Sequence, residues 1–346
     1  MMSKLRLFWI LSAAALTVSS SPCNPTKDKF CVAQNDALST AVFEPLTKAP
    51  THLSSNVAAP SITFGAEGAK MRIFERGENP QLFSTSYILY GRAEAQIRAS
   101  HGKGVISSMY MQSDDLDEID VAEFFGGEPH KFQTNYFVKG NISNYDRDRY
   151  HNVYDDLTQE WHTFGVEWTP EAMFWYYNGQ IVRRVRSAHN TQGFPSSPMQ
   201  LKFSLWVGGE PKNHPGTIEW AGGEADWKEL PYEMGIRNVR LVDYSSGEKY
   251  VYGSGQDLTA HRGQVFGKKK RDSSQEKGEI GNGIGSVVDD EKEEMCDDER
   301  VLEKVPKGGS EEKTEEVFEG SGSRVQSGFR VSFVVSFMIY LFQNVL

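Results

Sequence analysis

The sequence predicts an all-β fold, an antiparallel β-sandwich. Three observations lead to the sandwich. Short runs alternate apolar and polar residues, as in Trp161 to Trp168, where His162, Phe164, Val166 and Trp168 share one face. Turn residues punctuate these runs at close spacing, and Asn178-Gly179 between Met173–Tyr177 and Ile181–Arg186 is a strong hairpin signal. Long helical periodicity is absent from the central part of the chain. Tyr90 to Ala99 reads as another alternating strand. Leu201, Phe203 and Leu205 alternate with Lys202, Ser204 and Trp206.

The flanks set the compartment. Lys4 and Arg6 precede an apolar run from Leu7 to Val18, then the small residues Ser19 and Ser20. That run is too short for a membrane span, which needs about 20 residues. Residues 1–20 are therefore expected to be a signal peptide. Residues 321–346 place small residues and a spacer before the uncharged apolar tail from Val331 to Leu346. This is the pattern of a glycolipid (GPI) anchor signal, removed on maturation; a short tail anchor is the alternative. Between them, residues 265–320 read as an acidic disordered stalk. From Asp272 to Glu319 there are 17 Asp and Glu against 6 Lys and Arg, so this segment accounts for the net −10 of the chain. The acidic balance thus says nothing about the substrate. Lys268-Lys269-Lys270-Arg271 has no interleaved aromatics, which argues against nucleic acid as a partner.

Residues 21–264 remain as one catalytic domain. Cys23 and Cys31 are close enough to close a short disulfide in an oxidising compartment, while Cys296 stands alone. Asn141-Ile142-Ser143 is a glycosylation sequon. The eight His show no metal-ligand spacing, and no glycine-rich phosphate loop precedes a helix, so neither a metal nor a cofactor is expected. A monomer is expected.

The richest segment is Ser113-Asp114-Asp115-Leu116-Asp117-Glu118-Ile119-Asp120-Val121-Ala122-Glu123. Strand alternation puts Glu118 and Asp120 on one face and Ile119 and Val121 on the core side. Glu123 falls on the wrong face unless Val121-Ala122 forms a β-bulge, which returns it to the side of Glu118. Two carboxyl groups about 5–5.5 Å apart are what cleavage of a glycosidic bond with retention needs. Asp120 between them would separate their proton affinities. Calcium binding is the competing use of such acids, but the surrounding Ile119, Val121, Phe124 and Phe125 are too apolar for a flexible calcium loop. Asp114 and Asp115 read as turn residues. If Leu201, Phe203 and Leu205 face the core, then Lys202, Ser204 and Trp206 face the cleft, with Trp206 as a platform for a sugar ring. Thr217 and Trp220 are placed at the opposite lip. Tyr136 is read as either cleft or core, and Trp161, Trp168 and Trp175 as core.

At these residues the chain resembles glycoside hydrolase family 16, and within it the Crh branch of fungal cell-wall transglycosylases. The resemblance runs through Ser113–Asp120, Gln133-Thr134-Asn135-Tyr136-Phe137, Gly140, Trp161–Pro170, Trp175–Gly179, Ser204-Leu205-Trp206 and Gly216–Gly223. Cys23-Asn24-Pro25 and Cys31 match a small amino-terminal disulfide of that branch. The resemblance implies a curved antiparallel β-sandwich (β-jelly roll) with a concave glycan-binding cleft, and Glu118 as nucleophile with Glu123 as proton donor and acceptor. It implies Asp120 as their helper, with Glu123, Lys202, Trp206 and Thr217 touching the glycan. The implied reaction breaks β-1,4 bonds of chitin and passes the fragment to β-glucan, crosslinking the fungal wall. Hydrolysis of β-glucan or chitin, or glycan binding without catalysis, are the alternatives. Members of that branch carry one residue between the Asp and the second Glu, whereas this chain has Val121-Ala122; other branches of the family carry the longer spacing.

Overall fold

The computed structural model describes residues 32–142, 146–253, 264–266 and 301–302. The expected signal peptide, the Cys23–Cys31 pair, Cys296, Ser143 of the sequon, nearly all of the acidic stalk and the terminal anchor signal lie outside the described residues.

In chain order the strands are β1 (Val32–Asp36), β2 (Ala41–Glu44), β3 (Leu53–Ser55), β4 (Ile62–Gly65), β5 (Gly68–Ile73), β6 (Gln81–Ser84), β7 (Gly91–Arg98), β8 (Val105–Gln112) and β9 (Glu118–Phe125). They continue as β10 (Lys131–Phe137), β11 (Arg149–Val153), β12 (His162–Trp168), β13 (Ala172–Tyr177), β14 (Gln180–Arg186), β15 (Gln200–Val207), β16 (Tyr232–Asp243), β17 (Lys249–Gly253), β18 (Gln264–Phe266) and β19 (Val301–Leu302). One α-helix is described, α1 (Pro215–Trp220). His214 caps it by accepting the Gly216 N–H, and Pro215 occupies the first turn, where no donor is needed.

Two large sheets make the sandwich. One orders its strands β19-β11-β10-β9-β8-β15-β6-β3, the other β14-β13-β12-β7-β16-β5-β4. Neighbours pair antiparallel, except that β19 runs parallel to β11. Alternation explains which side chains meet between the sheets. In β7, Ala93, Ala95 and Ile97 point inward, while Arg92, Glu94, Gln96 and Arg98 stay half-exposed. From the facing sheet come Met109 and Met111 of β8, Ile119 and Val121 of β9, and Leu201, Phe203 and Leu205 of β15, all in the same core. Trp168 and Trp175 are fully buried within it. Each large aliphatic or aromatic side chain sealed this way contributes about 1.5–3 kcal/mol.

The expected hairpin forms between β13 and β14. Asn178 and Gly179 take φ of 48° and 81°, the positive values that a two-residue turn of matching twist requires. Trp161 is not a core residue. It stands half-exposed just before β12, with the guanidinium groups of Arg98 and Arg237 at 5.2 and 4.2 Å from its ring. Cations over an aromatic face stabilise this outer position.

Candidate active site

The acids sit on β9, at the middle of the first sheet, on the face turned away from the core. The bulge lies at Val121-Ala122. Against β8, Ala122 pairs with Met109 but Asp120 already pairs with Tyr110, leaving Val121 as the extra residue. Against β10, Glu123 pairs with Gln133 and Asp120 with Asn135, so one residue of β10 spans two of β9. Val121 and Ala122 both turn into the core, at 1% and 0% exposure. Glu118, Asp120 and Glu123 therefore share the other face.

Cross-strand partners share a face, so the register spells out the neighbours. Glu118 lies between Gln112 of β8 and Phe137 of β10, and Asp120 between Tyr110 and Asn135. Glu123 lies between Ser108 and Gln133. One strand further, β15 aligns Lys202 with Tyr110, Ser204 with Ser108 and Trp206 with Ile106.

The three carboxyl groups are buried together, and water no longer stabilises their charges. Asp120 is pushed far above the ordinary carboxylate range, first by burial and then by the charges of Glu118 and Glu123. It keeps its proton and donates it to Glu118. Burial also raises Glu118, but the Gln112 N–H, the Asp120 proton and the Lys202 ammonium all favour its anion. Lys202 Nζ in turn donates to Gln112 Oε1 at 3.0 Å, so the Gln112 amide is held with its N–H toward Glu118. Glu123 is pushed up to about 8, by burial first, then by Glu118 and Asp148. Glu123 thus carries a proton at neutral pH, while Glu118, also raised by burial, is the carboxyl whose partners favour the anion. From behind, Trp175 Nε1 donates to the Asp120 carbonyl at 2.9 Å and pins the strand just before the bulge.

Aromatic side chains border Glu123. Trp206 is 6% exposed and packs with Ile106, Phe125 and Ala221 in a small cluster separate from the main core. Trp220 of α1 stacks on it, with ring centroids 6.0 Å apart and planes at 21°. Trp220 Nε1 donates to Gln133 Oε1 at 3.3 Å. Thr217 is buried in α1.

The sequence profile of glycosyl hydrolases family 16 matches residues 50–222. A solved structure described as "Crh5 transglycosylase in complex with NAG" is 34% identical, with a TM-score of 0.63 over 67% of this chain and 95% of that one. This chain belongs to glycosyl hydrolases family 16. Within the family it groups with Crh-type proteins. It is 44% identical over 235 residues to Crh-like protein CRH12 of Candida albicans, covering 68% of this chain and 46% of that relative. It is 40% identical over 250 residues to Congo red hypersensitive protein 1 of Saccharomyces cerevisiae, covering 71% of this chain and 48% of the relative. The chain thus spans about half the length of these curated relatives. A Bacillus licheniformis β-glucanase, 21% identical, shares the fold, with a TM-score of 0.51 over 60% of this chain and 99% of that one. The antiparallel sandwich expected from the alternation, and the β-jelly roll implied by the resemblance, are the family 16 fold.

Within this family 16 chain the predicted residues divide by location. Glu118, Asp120, Glu123, Lys202 and Trp206 come together on one sheet face. Tyr136 does not join them, because it pairs with Ile119 and so points into the core, where its hydroxyl accepts from Asn190 Nδ2 at 2.7 Å. Asp115 is not a simple turn residue. Asp115 and Asp117 are fully buried and accept from Lys139 Nζ at 2.7 and 2.8 Å. Asp117 also accepts the backbone N–H groups of Lys139, Ser196 and Ser197. Asp114 accepts from Tyr87 and Asn35. These acids fix the turn that launches β9. Gly140, at φ 66°, closes against it by donating its N–H to the Leu116 carbonyl at 2.7 Å, and a Cβ there would meet Leu116 at 2.9 Å. Asn141 is exposed. Sequence reasoning missed Gln112, Tyr110 and Asp148. Gln112 and Tyr110 were detectable in principle, since β8 alternates with them on the polar side.

Proposed function

We propose that this protein is a retaining transglycosylase that cleaves β-1,4 bonds of chitin and transfers the fragment to β-glucan. Glu118 attacks the anomeric carbon as that carbon's bond to the leaving oxygen breaks. Glu123 gives its proton to the leaving oxygen. A covalent glycosyl-enzyme results, and the departing chain exposes Glu123 as a base. A hydroxyl of the acceptor glucan then attacks the same carbon, Glu123 takes its proton, and Glu118 leaves with the electron pair. Asp120 stabilises the Glu118 anion through its hydrogen bond and, by holding a proton, spares the site a third charge. Lys202, Trp206 and Thr217 hold the glycan, with Trp206 offering its ring face to a sugar.

The observation that carries this reading is the bulge at Val121-Ala122, which aligns an anionic Glu118 with a protonated Glu123 across Asp120. The similarity to a Crh5 transglycosylase bound to NAG supports chitin as donor, because N-acetylglucosamine is the repeating unit of chitin. Export by the leader at residues 1–20 and attachment by the glycolipid signal at 321–346 belong to the same proposal. They place the enzyme at the wall and outer membrane face, and the exposure of Asn141 suits glycosylation there.

The test incubates the purified protein with chitin oligosaccharides and a fluorescent β-glucan oligosaccharide. Labelled hybrid products are expected. Shortened chains alone would make it a hydrolase, and binding without products a glycan-binding protein. Glu118→Gln is expected to lose roughly a thousandfold or more in rate without loss of fold. An active Glu118→Gln would refute the nucleophile assignment.

A further inference from the structure

One buried side chain beside the acids has no part in the chemistry above. Asp148 lies just before β11, half-buried. Gln133 Nε2 donates to its Oδ2 at 3.0 Å. Gln133 is also the cross-strand partner of Glu123, 2% exposed, and its amide oxygen is occupied by the Trp220 indole N–H. The amide of Gln133 is therefore fixed at both ends, and it fixes Asp148 on the same side of the sheet as Glu123. Tyr150 stands opposite Gln133 on β11 and is 40% exposed.

We propose that Asp148, anchored by Gln133, is a positioning residue whose negative charge keeps the proton on Glu123 until the leaving oxygen takes it. The inference rests on Glu123 being the proton donor. The groups that bear on Glu123 are Glu118 and Asp120 from its own strand, Tyr110 from β8, Tyr150 from β11 and Asp148. Glu118 is consumed as the nucleophile, since its charge disappears once the glycosyl bond forms. Asp120 is protonated and the two phenols are neutral. Asp148 is the negative charge that stays beside Glu123 through both half-reactions. Burial raises its carboxyl above the usual range, while its own backbone N–H, the Gln133 N–H, Arg149 and Arg183 favour the anion. A like charge held beside a buried acid raises that acid's proton affinity. That makes Glu123 a competent acid near neutrality and a stronger base for the acceptor hydroxyl.

The experiment labels glutamate side-chain carboxyls with 13C and follows Glu123 through a pH titration by NMR, its resonance being identified by its loss in Glu123→Gln. Asp148→Asn is expected to lower the Glu123 midpoint by roughly half a pH unit or more. Asp148→Glu, which restores the charge, is expected to bring the midpoint back toward the wild-type value. Asp148→Ser removes the same charge with a smaller side chain and gives the same shift if Asp148→Asn does not fold. A midpoint that moves by less than about 0.2 unit, or rises, overturns the proposal. The titration needs no turnover, so it stands apart from the functional reading. Where turnover is measured, the alkaline limb of the pH–rate profile moves down with the midpoint. A drop in rate at every pH with the limb unmoved would mark Asp148 as merely structural.

Discussion

At the scale of single residues, the site is a device for sorting protons among three carboxyl groups. That sorting has a cost in stability. Glu123 has a folded-state value of about 8 against 4.5 for an unperturbed carboxyl, so the native state holds a proton that the unfolded chain releases between those values. Stability from this group is therefore present below about pH 4.5 and is lost as pH rises toward 8. Glu123→Gln removes the dependence. Its melting temperature is expected to match wild type near pH 4 and to exceed it by several degrees near pH 8, which thermal melts at the two pH values check. A variant less stable than wild type at the higher pH would contradict the assignment of the proton. Asp120 shares this sign, because its folded value is also raised.

At the scale of elements, β9 carries the account. The two-residue step at Val121-Ala122 is an insertion absorbed into the core side of the strand, so it leaves the outward face unchanged. Deleting Ala122 should restore regular alternation, with Val121 alone in the core and Glu123 still beside Gln133. The deletion variant is expected to retain transfer activity within about tenfold of wild type, while losing about 1–3 kcal/mol of stability from the altered packing. Rate assays and denaturant melts measure both. Activity as low as that of Glu123→Gln would mean that the bulge itself sets the geometry.

The strands of this region were legible in the sequence because their period is two and their core residues are large. The bulge was legible because five positions between two glutamates cannot fit that period. Other features were hidden for a physical reason. The contacts of Gln112 with Glu118, of the expected cleft residue Lys202 with Gln112, and of Gln133 with Asp148 join residues 6, 90 and 15 positions apart in the chain. Register across strands decides such contacts, and local periodicity does not reveal it. Tyr136 was ambiguous for the same reason: its face follows from pairing with Ile119, beyond the bulge. Asp114 and Asp115 read as turn residues because their partners, Asn35 and Tyr87 for Asp114 and Lys139 for Asp115, are remote in the chain.

At the scale of the whole molecule, the sandwich is a rigid floor for the acids. Its second sheet reaches through the core to hold β9, as the Trp175 hydrogen bond to the Asp120 backbone shows. Arg183 of β14 stacks on Trp175 at 4.6 Å and donates to Thr134 Oγ1 at 3.0 Å, which ties down β10 opposite the bulge. β9 and β10 are thus both braced from the far side of the core. Retention by double displacement needs the two carboxyl groups about 5–5.5 Å apart, too close for a water to enter between sugar and nucleophile. The central claim concerns the stereochemistry of that reaction. Proton NMR of the reducing end newly formed on the donor fragment reads it directly, using a chitin oligosaccharide whose own reducing end is blocked as a methyl glycoside and water as the acceptor. The account predicts that the β-anomer appears first and the α-anomer only later, by mutarotation. An α-anomer present from the start would contradict a glycosyl-enzyme on Glu118.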